Sequence, residues 1–140
     1  PYKGGAPAVT AAAAGETQLT FANYSDAISW MSSGRLRAIA ITSAKRFPLS
    51  PNIPTISETL PGFSVDGWSG IVAPASTPKE IVNRFSLVTQ QTLKNTEVRK
   101  RMEAIGATPI GDTPEEFQKF IQAESAKWAN FVKQTGIKVD

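Results

Sequence analysis

From residue 6 to residue 43 the chain passes twice from a helical to a β-like pattern. That alternation narrows its fold more than any other feature, because it is the pattern of helices packed on a sheet. Residues 6–14, APAVTAAAA, predict a short helix, with Pro7 tolerated in its first turn and Gly15 ending it. In TQLTFA, Leu19 and Phe21 alternate with Gln18 and Thr20, as in a strand. YSDAISWMSSG predicts a second helix, capped by Ser25, with Ile28 and Met31 on one face and Gly34 at its end. LRAIAITS strings together β-branched and small apolar residues, the composition of a buried strand. The expected fold class is α/β.

Beyond Ala44 the texture changes. Pro48, Pro51, Pro54 and Pro61 interrupt regular structure and predict an ordered loop, in which TISE has the spacing of a capping box. A strand is expected over residues 68–72. The second half reads as helical. TPKE places Thr77 as a cap, Pro78 at the first helical position and Glu80 where it closes a capping box. Asn95 caps a shorter helix that Gly106 stops, and TPEE repeats the start signal at Thr113. The last helix carries Phe117, Phe120, Ile121, Trp128, Phe131 and Val132 along one side, a stripe expected to pack, and Gly136 closes it.

Composition excludes several kinds of chemistry. The 140 residues include no cysteine and no histidine, so thiol catalysis, disulfides and a thiolate or imidazole zinc site are absent from this chain. GWSGI is one residue short of a nucleophile elbow, and no histidine could activate Ser69. Glu115 and Glu116 sit in a first helical turn, where carboxylates favour the dipole. Glu16, Asp26, Glu58 and Asp66 are isolated in sequence. No enzyme, metal or cofactor is expected. A net charge of +3 with one basic cluster, Arg99–Arg101 beside Glu97 and Glu103, reads as a solvated helix face and gives no support to nucleic-acid binding.

The opening PYKGGA admits two readings. Gly4 and Gly5 either turn the chain into the first helix, or let an anion approach free N–H groups at a helix start, with Lys3 adding positive charge.

PYKGGAPAVTAAAAGETQLTFAN, GRLRAIAITSAKRFPLSPNIPTISE, LPGF, GWSGIVAPASTPKEIV and EVRKRMEAIGATPIGDTPEEF occur in an order that resembles Bug-type solute-binding proteins, the extracytoplasmic receptors of tripartite tricarboxylate transporters. The likeness runs through nearly the whole chain and corresponds to the carboxy-terminal half of the family's usual length, so the chain reads as a fragment. The resemblance implies a periplasmic-binding-protein-like (type II) fold of two α/β lobes around a cleft. Residues 1–65 would belong to the second lobe, 66–75 to a hinge and crossover strand, and 76–140 to the helical part of the first lobe. It also implies a periplasmic location, a small carboxylate ligand (a di- or tricarboxylate or an aromatic acid) and a membrane permease as partner. By position it nominates Tyr2, Lys3, Gly4, Gly5, Ala6 and Asn23 as ligand-binding, with Ala22 departing from the family's usual aspartate. The alternative is a fragment that binds no ligand and acts as an interaction or oligomerisation module, dimerising through faces exposed by truncation.

Overall fold

Local capping chemistry decides where the helices begin and end. The computed structural model describes residues 2–137, with five α-helices in the order α1 (Gly5–Ala13), α2 (Tyr24–Ser32), α3 (Lys79–Leu93), α4 (Thr96–Ala104) and α5 (Pro114–Thr135), and a 3₁₀ turn at Ile56–Glu58. At α5 the Thr113 Oγ1 accepts the Glu116 N–H at 3.2 Å while the Glu116 carboxylate accepts the Thr113 N–H at 2.9 Å, the reciprocal pair expected from TPEE. Gly136, in the left-handed region at φ 67°, ends α5. Asn95 Oδ1 accepts the N–H groups of Glu97 and Val98, as expected.

Two expected caps do not form. Pro78 has ψ 138°, outside the helical range, so α3 starts one residue later, at Lys79, with no side-chain cap. The Thr77 N–H is spent instead on a turn back to the Pro74 carbonyl. At α2 the cap position is Asn23 rather than Ser25, which lies inside the helix. Thr113→Ala should therefore cost about 1 kcal/mol, whereas Thr77→Ala, at a cap that never forms, should change little. Urea melts of the two variants side by side test the distinction.

The three expected strands differ more deeply. Among the described residues the β-structure amounts to one isolated parallel bridge, Ile41 to Thr55, made by Ile41 N–H to Pro54 O and Ile56 N–H to Ile41 O. Val65 N–H also reaches Thr42 O at 2.9 Å. Residues 17–22 and 68–72 join no ladder. Their pattern is that of strands, but a strand is completed only by a ladder with a neighbour's backbone, and no ladder forms on them among the described residues.

The chain divides into two compact units. One holds the residues up to Ile71 together with Lys100–Thr108; the other holds Val72–Arg99 and the residues from Pro109 onward. In the first, α1 packs on α2, burying Val9 and Ala11. In the second, α3 packs on α5. The expected packing of the α5 stripe is only partial, with Phe120, Trp128, Phe131 and Val132 all 37–45% exposed. Trp128 and Phe131 meet edge to face at 5.8 Å, and the indole N–H donates to Glu124.

The proline-rich loop is ordered by one ion pair. Arg46 clasps Glu58 through two bonds of 2.7 and 2.6 Å and also donates to the Pro51 carbonyl. Glu58 in turn accepts the Thr55 N–H, closing the TISE capping box. The Arg46 hydrogen bonds first, then the Thr55 N–H, pull the Glu58 carboxyl from its ordinary 4.5 down to about 2. A lowered folded pKa means that this clasp stabilises fully above about pH 4.5 and is lost as pH falls toward about 2. Glu58→Gln should flatten the pH dependence of the melting temperature across that window; an unchanged acid limb would refute the assignment.

Candidate functional site

Of the residues nominated from sequence, Tyr2, Lys3, Gly4, Gly5 and Ala6 lie around the start of α1 and Asn23 just ahead of α2, all in the first unit. Gly4 takes φ 106° and ψ 177°, a conformation open essentially to glycine alone. Its own N–H donates to the Tyr2 carbonyl at 3.0 Å, so the loop folds back on itself and Gly4 is not a free donor. The next donors are different. Gly5 and Ala6 open α1, where N–H groups have no intrahelical acceptor, and Pro7 carries no N–H. The positive end of the helix dipole falls at the same place. Lys3 is exposed beside it. Tyr2 turns away from this point: its hydroxyl donates to Glu16 at 3.3 Å, and local desolvation together with the Glu16 charge raises the phenol pKa.

Two neighbours have no counterpart in the sequence reading. A side chain at position 5 would collide with the Asp26 carboxylate, so α2 brings its first-turn acid directly against Gly5. That negative charge lies where the dipole of α1 favours it. Asn23, just ahead of α2, sits against Gly67, with its Oδ1 only 2.7 Å from where a Cβ would be. The structure therefore brings Gly5 to Asp26 and Asn23 to Gly67. Nothing in the local sequence signals either contact, since both depend on how the segments around α1 and α2 pack. Each glycine is what permits its approach.

Behind Asn23, Tyr24 is the anchor of the region. Its hydroxyl shares a 2.9 Å hydrogen bond with Ser50, its ring lies 4.8 Å from Phe47, and Gly106 presses against its face. An open groove of about 380 Å³ runs beside it, lined by Tyr24, Ile28, Met31, Leu36, Arg37 and Ile53 among others. None of the loop residues 2–6 lines this groove. Among the described residues no cluster of carboxylates is placed to hold a metal ion. No helix among them is long and apolar enough to cross a membrane.

Comparison with known proteins gives the class. Residues 1–137 match the family described as "Tripartite tricarboxylate transporter family receptor". The chain belongs to that family, whose members are periplasmic solute-binding receptors. Over 140 residues it is 34% identical to protein BugT of Bordetella pertussis, an alignment covering 99% of this chain and 43% of BugT. It is 31% identical over 134 residues to a UPF0065 protein from the clcB-clcD intergenic region of Pseudomonas knackmussii, covering 94% of this chain and 79% of that one. Among solved structures it is similar to R. palustris Rpa4515 with adipate, at a TM-score of 0.91 and 35% identity, covering 98% of this chain and 46% of that one. It is similar also to the periplasmic binding protein BugD, at a TM-score of 0.88 and 32% identity. The chain thus spans a little under half the length of BugT and of both solved structures. The backbone likeness bears out the expected periplasmic-binding-protein fold class despite the missing ladders.

Proposed function

We propose that this chain is part of a solute-binding protein that captures a small organic carboxylate for a tripartite tricarboxylate transporter. The observation that carries the reading is the start of α1: Gly4 in a glycine-only conformation presents the unpaired N–H groups of Gly5 and Ala6 at the positive end of a helix. A carboxylate placed there accepts charge-assisted hydrogen bonds from groups already held in position, which lowers the ordering cost, while the Asp26 carboxylate against Gly5 repels it and reduces the net gain. Lys3 adds long-range attraction, and Asn23 offers both a donor and an acceptor to the rest of the ligand.

Ala22, next to Asn23, contributes no acceptor, which favours plain carboxylic acids over ligands that carry an amino group at that position. Rpa4515 was solved with adipate, a linear dicarboxylate, and this supports the same class here. Such a protein has no chemical step. Its lobes close on the ligand, exclude water and present it to a membrane permease in the periplasm.

The test is a thermal-shift series with adipate, succinate, citrate and benzoate on the protein extended to its relatives' length. A ligand that binds only the folded state raises the melting temperature by mass action. If the extended protein folds and none of the four moves it, the carboxylate reading fails.

A further inference from the structure

We infer that Gly67 is a positioning residue for ligand capture: on the carboxylate reading above, it holds the Asn23 amide off its own helix and keeps it for the ligand. Asn23 occupies the cap position of α2, with φ −66° and ψ 146°, yet its side chain makes no cap hydrogen bond. Asparagine is favoured at such positions because its Oδ1 accepts an N–H of the first helical turn. Asn95, at the start of α4, does this, accepting from Glu97 and Val98 at 2.9 and 3.2 Å. At α2 the first-turn donors and the asparagine are all in the chain, and the bond is still not made.

The difference lies in where the amide goes. Asn23 Oδ1 is 2.7 Å, and its Cγ 3.8 Å, from where a Cβ on residue 67 would stand, and beyond the chain neighbours nothing else comes within 4 Å of that point. A carbon and an amide oxygen do not pack at 2.7 Å, so any side chain at 67 displaces the amide. Gly67 is not among the glycines with positive φ. The space it leaves for Asn23, rather than a turn, is therefore what calls for glycine.

Neither backbone is free to follow. Tyr24, next to Asn23, is anchored by Ser50, Phe47 and Gly106. Val65, two residues before Gly67, is tied to Thr42 by a 2.9 Å main-chain bond. The side-chain amide is the part that yields. Off the helix it keeps donors and an acceptor for a ligand, and α2 goes without a cap, the kind of local concession that binding sites make.

A cycle of Gly67→Ala, Asn23→Ala and the double variant, made in the protein extended to its relatives' length, tests this. Isothermal titration with adipate, succinate, citrate and benzoate reads affinity, and melts without ligand read stability. Gly67→Ala should lower affinity about tenfold, the equivalent of one hydrogen bond, and Asn23→Ala by about as much. The double variant should lose no more than Asn23→Ala alone, because the glycine acts only through that side chain. A role in packing would lower the melting temperature as well. Gly67→Ala should not lower it, since the displaced amide is free to cap α2. Asn23→Ala should then cost stability in the Gly67→Ala background and not in the parent. Losses that multiply to about a hundredfold in the double variant overturn the proposal. So does parental affinity in either single variant, or a lower melting temperature on Gly67→Ala alone. If none of the four ligands binds the parent, the carboxylate reading fails and the ligand role of Gly67 with it; a failure confined to the variants overturns the positioning and leaves that reading standing.

Discussion

Gly106→Val is expected to destabilise the first unit by about 3 kcal/mol, combining the cost of a β-branched residue at positive φ with overpacking. Gly106 has φ 85°, and a Cβ there would lie 2.6 Å from Tyr24 Cδ1, 3.1 Å from Cγ and 3.2 Å from Cβ. The ring could rotate, but the Tyr24 Cβ is fixed to the start of α2. The ring itself is held by Phe47 at 4.8 Å and by the 2.9 Å bond to Ser50. Relief would thus require α2 to shift against the loop that carries Phe47 and Ser50. Gly34→Val separates the two causes. Its φ of 73° imposes similar strain, but nothing lies within 4 Å of its added Cβ. Chemical denaturation of both variants should show the larger loss at Gly106. Equal losses would mean that backbone strain alone accounts for the effect and that Tyr24 is not the anchor.

Gly4→Val is expected to remove carboxylate binding almost completely in the protein extended to its relatives' length. Valine cannot hold φ 106° and ψ 177°, so the loop must leave the conformation that aims the Gly5 and Ala6 donors. Two charge-assisted hydrogen bonds at about 1.5 kcal/mol or more each correspond to a loss of roughly a hundredfold or greater in affinity. Gly4 has open space around its added Cβ, so the variant should still fold. Isothermal titration with whichever carboxylate stabilises the parent protein reads the change. Lys3→Ala should weaken the same ligand far less, and mainly at low salt, because Lys3 is exposed. Unchanged affinity in Gly4→Val would reduce the glycine pair to a turn into α1.

Much of this was legible in the residues alone, and unevenly so. Asn95, Thr113 and Gly136 announce helix limits because capping is chemistry between a side chain and the backbone within a few residues. TISE and TPEE closed their boxes for the same reason. TPKE has equal spacing and failed, because the turn from Pro74 to Thr77 sets Pro78 outside the helix before the box can form. The family was legible as well, since five segments in order carry more information than any single motif.

What the sequence by itself determined, then, is what short-range chemistry settles: the helices, most of their caps, the lack of thiol and imidazole side chains, and a glycine pair at the start of α1. Tertiary structure alone decided the rest. Leu19, Phe21 and Ile39 have the pattern of strands, but strand pairing is a bond with another segment, and the pattern cannot say whether that segment is present. Asp26 looks isolated in sequence, yet packing sets it against Gly5, just as it sets Asn23 against Gly67. Such contacts join residues some twenty to forty positions apart. They exist only once the backbone has brought the segments together, and a missing glycine Cβ leaves room for them.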